Sequence, residues 1–323
     1  MKNETILLLG NPAEPEVSKL RKLLPAASLV IGNSVQAFEE AAHEARVLFL
    51  WSGPREIFER AFGMCPKLDW VHARSAGLDK VLFPELAESN VTLTNGTGVF
   101  SAALGEFVLG AILYFAKDFR RMIRNQKAGI WEAFNVLPVA GQTVGIIGYG
   151  DIGKAVATRV RGLGMNVIAV RRLSVLPRGS DAVVEQTYPR ERLLEMISRS
   201  DYLVVSTPLT SETRGMIGDA EFAAMKATAV VINVGRGPVI QEEALINALS
   251  HGQIKGAALD VFDREPLPQG HPFYKMENVL LSPHCADHTP DWLENAVVFF
   301  AEQYERFQMG EPLLNIVDKK RGY

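Results

Sequence analysis

Short apolar runs alternate with segments of helical period along nearly the whole chain, and the alternation is interrupted once. In the first hundred residues, the runs at 5–9, 28–31, 47–50, 70–72 and 91–93 read as buried strands. Between them, 14–24, 35–42 and 55–62 place apolar residues three and four apart, as helices do. Strands separated by helices imply a parallel sheet covered on both faces. The breaker cluster Asn95-Gly96-Thr97-Gly98 ends this series, and a long helical run is expected from near Ser101 to about Gln126. A second series follows, with strands at 143–147, 166–170, 202–206, 229–233, 256–260 and 279–282 and helices at 152–162, 191–199, 221–225 and 242–251. The last helix, from 291 to about 307, carries Trp292, Val297, Phe299, Phe300, Tyr304 and Phe307. That apolar set needs cover and is expected to return to the first series. The second series would then be an insertion with two hinges.

Composition narrows the class. A chain of 323 residues is long enough for two domains with their own cores. With 47% hydrophobic and 22% charged residues it reads as an ordinary soluble protein, and its net charge of −3, without a dense Lys/Arg run, argues against a nucleic-acid partner. Cys65 and Cys285 make no disulfide framework and have no metal-ligand spacing, so a reducing interior and no metal are expected. The first ten residues hold only a short apolar run, Ile6 to Leu9, behind Glu4, which is a strand rather than a signal peptide. No apolar stretch reaches bilayer length; 107–116 reads as a buried helix. The cytoplasm is the expected compartment, with no membrane partner.

The strand at 143–147 runs into Gly148-Tyr149-Gly150-Asp151-Ile152-Gly153, and a helix opens directly behind it. In such a turn the first glycine permits the reversal, the second lets the backbone approach a pyrophosphate, and the third lets helix and strand pack. The helix N-terminus adds N–H donors and partial positive charge. The next strand should end in an acid if a ribose 2′-hydroxyl is to be bound. Here it ends in Arg171-Arg172, with Ser174 beyond. A guanidinium pairs bidentately with a 2′-phosphate where a carboxylate would repel it. NADP(H) is therefore expected over NAD(H), with NAD(H) still possible.

Three further segments end successive strands of the second series: Asn233-Val234-Gly235-Arg236-Gly237, Asp260-Val261-Phe262-Asp263-Arg264-Glu265-Pro266 and Ser282-Pro283-His284. Reducing a keto acid requires a grip on its carboxylate, polarisation of its carbonyl and a proton for the developing alkoxide. Arg236 can hold the carboxylate bidentately and reach the carbonyl oxygen. His284 is of the residue type that changes charge near neutral pH, which suits proton donation. Glu265 can hydrogen-bond that imidazole and favour its protonated form, so that reduction draws on imidazolium and oxidation on neutral imidazole. Singly, each residue reads as a surface charge or a turn; together they end three βα units of one sheet. The other histidines, His43, His72, His251, His271 and His288, lack this setting and are read as structural, His288 remaining a secondary candidate because it lies close to His284.

These stretches, with Ser206-Thr207-Pro208-Leu209-Thr210-Ser211-Glu212-Thr213-Arg214-Gly215 and Arg74-Ser75-Ala76-Gly77-Leu78-Asp79, resemble the D-isomer-specific 2-hydroxyacid dehydrogenase family over nearly the whole chain. The resemblance implies an α/β protein of two doubly wound parallel-sheet domains with a cleft between them. A flavodoxin-like substrate domain (1–98 plus 287–323) would be split around a Rossmann dinucleotide domain (99–286). It implies Arg236, Glu265 and His284 as the catalytic set, and Ser75, Ala76 and Gly77, with Arg236 and His284, as the substrate site. Cofactor contacts would come from Gly148, Gly150, Asp151, Ile152, Gly153, Arg171, Arg172, Thr207, Pro208 and Thr213. Nearer the nicotinamide, Val234, Gly235, Arg236, Asp260, His284 and Ala286 would complete the set. Members are commonly homodimers, joined here by an arm at about 117–140 containing Trp131 and Phe134.

Two positions depart from the common pattern. Arg171 replaces the acid of NAD-using members and looks like the glyoxylate/hydroxypyruvate reductase subgroup. Arg74 adds a cation beside the substrate loop. Trp51, Ser52 and Phe100 are candidates for the pocket walls. The expected activity is NADPH-dependent reduction of small 2-keto acids to D-2-hydroxy acids; the alternatives are a formate- or phosphite-type dehydrogenase, or an NAD(P)-sensing scaffold of the same fold without catalysis.

Overall fold

The computed structural model describes residues 4–171 and 182–323, so Arg172 and Ser174 lie outside the described residues. The chain divides into two compact units, 1–100 with 289–323, and 101–288. The first contains β1 (Thr5–Leu9), α1 (Pro15–Leu23), β2 (Ser28–Gly32), β3 (Ala45–Leu50), α2 (Arg55–Gly63), β4 (Trp70–Ala73), α3 (Pro84–Glu88) and β5 (Thr92–Asn95). The second contains α4 (Ser101–Ala116), α5 (Phe119–Ala128), β6 (Thr143–Ile147), α6 (Asp151–Arg161), β7 (Asn166–Val170), β8 (Gln186–Tyr188), α7 (Leu193–Arg199), β9 (Tyr202–Val205), α8 (Asp219–Ala224), β10 (Val230–Asn233), α9 (Glu242–Ser250), β11 (Gly256–Leu259) and β12 (Val279–Leu281). The chain then re-enters the first unit as α10 (Trp292–Met309).

Both sheets are wholly parallel. The first has the order β2-β1-β3-β4-β5 and the second β12-β11-β10-β9-β6-β7-β8. In each, the order reverses beside the first strand, the point where open α/β sheets bind ligands beyond their carboxyl ends. Strands buried on both faces require near-continuous apolar runs, and Ile6 to Leu9 and Val230 to Ile232 are all at most 1% exposed. On one face of the first sheet α10 lays Phe300 flat on Phe49, with ring centroids 4.0 Å apart, and within 5.3 Å of Trp70.

Local departures from the sequence expectation have identifiable causes. The segment 35–42 forms two short 3₁₀ turns, Gln36–Phe38 and Ala42–Glu44, not a helix. Three-residue hydrogen bonds (Phe38 N to Val35 O, 3.0 Å; Ala41 N to Phe38 O, 3.1 Å) suffice to bury Val35, Phe38 and Ala42 on the short path to β3. The long helical run breaks in two at Asp118, whose φ of +52° is left-handed and whose carboxylate caps Arg121 N at 3.3 Å. Strand β8, three residues long without an apolar run, has no legible period. Among the described residues no helix is long and apolar enough to cross a membrane.

Candidate active site

The glycine turn lies where β6 meets α6. Gly148 has φ +95°, and a Cβ there would sit 2.8 Å from Thr207 N, so only glycine fits beneath the β9 loop. A Cβ on Gly153 would lie 2.5 Å from Gly148 O, the close packing of helix on turn. Gly150 differs: it is exposed, caps α6, and a Cβ there would meet no protein atom within 4 Å. No protein neighbour demands a glycine at that position. A ligand approaching the helix N-terminus does, so the turn fits a dinucleotide pyrophosphate, with Asp151 and Ile152 forming the first helical turn beside it. Ser206 Oγ donates to Gly148 O at 3.0 Å, and Thr213 Oγ1 donates to Pro208 O at 2.6 Å, fixing the loop that carries Thr207 and Pro208.

Arg171 follows β7 directly. Val170 O accepts from Gly148 N at 3.4 Å, and Arg171 N donates to Tyr188 O at 3.1 Å. The arginine is thus anchored next to the glycine turn, where an adenosine ribose is bound in this topology.

The catalytic candidates leave three adjacent strands, since Asn233 pairs with Leu259 and Leu259 with Leu281. Asn233, only 1% exposed, shapes the first loop: its Oδ1 accepts from Gly235 N (3.0 Å) and its Nδ2 donates to Arg236 O (3.1 Å). Arg236 Nη1 donates to Gly235 O at 2.8 Å. A Cβ on Gly235 would be 2.8 Å from Thr207 O and one on Gly237 2.0 Å from the Phe262 carbonyl carbon, so both glycines press the Arg236 loop against its neighbours.

Glu265 spans two partners. Its Oε1 accepts from Phe262 N at 3.0 Å, and its Oε2 lies 2.8 Å from His284 Nδ1. The imidazole keeps 45% of its side-chain surface exposed, so Nε2 faces outward from a ring whose orientation Glu265 sets. His284 has φ +53°, a left-handed conformation uncommon outside glycine. The following amides hold it there: Cys285 N (3.0 Å) and Ala286 N (3.1 Å) both donate to Asp260 Oδ1, which also accepts from Ser282 Oγ at 2.6 Å. Asp260 is 1% exposed and is the buried post around which the His284 loop turns. Val234 is buried at the end of β10, and Ala286 is half-buried beyond His284. Next along, burial raises the Asp287 carboxyl above the usual carboxylate range, against the opposing pull of His288 3.7 Å away.

In the first unit, the loop after β4 has all three of its carbonyls engaged. Ser75 O accepts from Gly96 N (3.3 Å), Ala76 O from Asn95 Nδ2 (2.8 Å) and Gly77 O from Ser75 Oγ (2.9 Å). The amides of Ala76 and Gly77 make no hydrogen bond among the described residues, which leaves two adjacent donors for an anion. His72 lies one strand position before this loop but is wholly buried, and burial lowers its pKa to about 3. It is a core residue. Among the described residues no group of three or more His, Cys, Asp or Glu could hold a metal ion.

Sequence reasoning did not assign roles to Asn233 or Ser282. Their signal was faint: a polar residue ending an otherwise apolar strand, directly before a loop that needs its backbone groups tied.

Known proteins resemble the chain in sequence and in fold. The family described as D-isomer specific 2-hydroxyacid dehydrogenase, NAD binding domain, matches residues 109–286. A glyoxylate reductase of Korarchaeum cryptofilum is 35% identical over 271 residues, 82% of this chain and 79% of its own length. The structure of an NADPH-dependent glyoxylate/hydroxypyruvate reductase from Sinorhizobium meliloti, with NADP and sulfate, has a TM-score of 0.85 at 29% identity over 99% of this chain and 100% of that one. A D-isomer specific 2-hydroxyacid dehydrogenase from Xanthobacter autotrophicus Py2, with NADPH and MES, gives 0.84 at 32% identity over all of both chains. A two-sheet frame with a dinucleotide turn in one sheet, matched over this length, identifies the chain as a member of the D-isomer-specific 2-hydroxyacid dehydrogenase family.

Proposed function

We propose that this protein is an NADPH-dependent reductase of small 2-keto acids, of the glyoxylate or hydroxypyruvate type, yielding D-2-hydroxy acids. The observation that carries the proposal is the Glu265–His284 pair at 2.8 Å, on the segments that follow β11 and β12, in the same sheet as the β10 strand that leads to Arg236. When bound, the reduced nicotinamide supplies the hydride. Arg236 grips the substrate carboxylate and polarises the keto oxygen, a use suited to the fork of a guanidinium. His284 Nε2 delivers the proton, while Glu265, 2.8 Å from Nδ1, fixes the ring. The amides of Ala76 and Gly77 add donors for the carboxylate. Gly148, Gly150, Asp151, Ile152 and Gly153 hold the pyrophosphate, and Thr207, Pro208 and Thr213 the adenosine side. Val234, Gly235, Asp260 and Ala286 border the nicotinamide. Arg171, with Arg172, takes the 2′-phosphate. The NADP(H)-bound relatives from S. meliloti and X. autotrophicus support that preference.

Homodimerisation is part of the same reading. Phe119, Met122, Ile123, Ile130 and Trp131 are all at least 40% exposed on α5 and the arm behind it, and Trp131 is fully exposed. The test is absorbance at 340 nm with NADPH or NADH and a keto-acid panel, for wild type and Arg171→Asp. The proposal expects the wild type to prefer NADPH and the variant to move toward NADH. Unchanged selectivity contradicts the phosphate role of Arg171. No turnover with any keto acid contradicts the reductase.

A further inference from the structure

The segment that follows α10 does more than cover an open edge. Strand β5 lies at the edge of its sheet, where unpaired backbone groups need a partner. Ile316 forms an antiparallel bridge with Thr94, and Val317 N donates to Leu93 O at 2.9 Å. Lys319 Nζ donates to Ser89 O at 2.6 Å and to Val91 O at 2.8 Å. Val317 is 7% exposed and belongs to the same apolar core as Leu93. On the near side, Leu314 N donates to Oε1 of the fully buried Gln303 at 2.8 Å. The segment is thus anchored both before and after Asn315.

Asn315 reaches to the end of β5 and past it. Its φ of +55° is left-handed, a conformation that asparagine adopts more readily than most residues with a Cβ. From this turn its Nδ2 donates to Thr97 O at 2.6 Å and to Asn95 O at 3.3 Å. Both neighbours are carbonyl oxygens, so the atom facing them is the amide nitrogen and not the amide oxygen. These two carbonyls belong to the stretch that carries the loop after β4. Asn95 Nδ2 donates to Ala76 O at 2.8 Å, Gly96 N donates to Ser75 O at 3.3 Å, and Asn95 Oδ1 accepts from Thr97 N at 3.2 Å. Packing there is close, since a Cβ on Gly96 would lie 2.1 Å from Arg74 O. A shift of 95–97 is therefore transmitted to 74–76, because close-packed groups pass strain on. Ile316, Val317 and Lys319 suffice to cover the edge; the hydrogen bonds of Asn315 serve the residues that hold the loop. We infer that Asn315 is a positioning residue for substrate. By fixing the Asn95 and Thr97 carbonyls it sets the pose of 75–77, whose amides take the substrate carboxylate in the function proposed above. This inference rests on the reductase reading and deepens it.

The experiment compares wild type with Asn315→Gly, which keeps the left-handed turn and removes the donor, and Asn315→Asp, which sets a carboxylate against two carbonyls. Lys319→Met serves as the control, since it loosens the same segment away from the loop. Steady-state kinetics on glyoxylate with NADPH, the NADPH Kd, Tm, and deuterium exchange in peptides covering 74–79 and 93–100 are measured for each. Asn315→Gly should raise KM for glyoxylate about three- to tenfold, and Asn315→Asp more, with kcat and the NADPH Kd within about twofold of wild type. Exchange in both peptides should quicken in the two Asn315 variants. Lys319→Met should lower Tm and leave KM and the exchange of both peptides unchanged. If Asn315 merely holds the segment down, its variants lower Tm as Lys319→Met does while KM stays fixed; that result overturns the inference, even if exchange quickens, and leaves the reductase standing. If the wild type turns over no 2-keto acid, the reductase reading fails and exchange alone judges the loop: quickening supports the role of Asn315, and unchanged exchange overturns it.

Discussion

The carboxyl ends of the two sheets are built for different kinds of recognition. In the second unit they carry side-chain chemistry: an arginine, a glutamate and a histidine, on loops tied by buried polar groups, Asn233 and Asp260. In the first unit the loop after β4 uses its carbonyls as acceptors and carries Arg74, whose guanidinium lies over the Trp51 and Trp292 rings. The same residue type fares differently in the two places. His284 stands on a loop, 45% exposed and paired with a carboxylate. His72 is wholly buried in β4 among Phe49, Trp70 and Phe300. Reactivity follows the loop and its supports, while the strand interior suppresses charge.

If side-chain chemistry belongs to the second unit, removing its cation should be among the most damaging changes. Arg236→Ala is expected to lower kcat/KM for a keto acid by roughly a thousandfold, raising KM as well as lowering kcat, since carboxylate grip and carbonyl polarisation are lost together. A loss confined to KM would reduce Arg236 to a simple anchor.

The supports come next. Asp260→Ala removes the acceptor for three donors, leaving the Cys285 and Ala286 amides unsatisfied and the left-handed backbone of His284 without its restraint. Its expected cost is about 1–3 kcal/mol of stability in urea melts, together with a fall in kcat while NADPH still binds. Wild-type kcat in that variant would mean that the loop holds its shape without the post.

The effect most remote from catalysis lies in the first unit and concerns pH. His72 Nδ1 is 2.8 Å from Thr94 Oγ1, which also accepts from Trp70 Nε1 at 2.8 Å. The hydroxyl is then placed to give its own proton to a neutral ring. With the folded pKa lowered by burial to about 3, the unfolded chain binds the extra proton first as pH falls below the ordinary histidine range. Stability is therefore complete above about pH 6.5 and is lost toward pH 3, at up to about 1.4 kcal/mol per pH unit. His72→Leu should flatten this slope in denaturant titrations between pH 4.5 and 6.5, whatever it does to absolute stability. An undiminished slope would assign the acid sensitivity to other groups.

Most of the frame was legible because strands buried on both faces must be continuous apolar runs. Those at 5–9, 143–147 and 166–170 coincide with β1, β6 and β7. The glycine turn was legible for a steric reason, since Gly148 and Gly153 each answer a close approach that a Cβ would block. What was hidden depended on tertiary contact. No local pattern marks Asn233 as a loop tie, and no spacing reveals that indoles from β3 and α10 meet at Arg74. The break at Asp118 was obscured by continuous helical period on both sides. Residues 36–44 show the converse, a helical pattern met more cheaply by two tight turns.

The most direct test of the central claim is to measure kcat and the NADPH Kd side by side for wild type and His284→Ala, with a keto acid that the wild type turns over. The account predicts a fall in kcat of about a hundred- to ten-thousandfold with Kd changed less than severalfold, because the imidazole gives the proton and is only one of many contacts to the nucleotide. A variant that keeps its kcat and loses only affinity, for substrate or for NADPH, would contradict it.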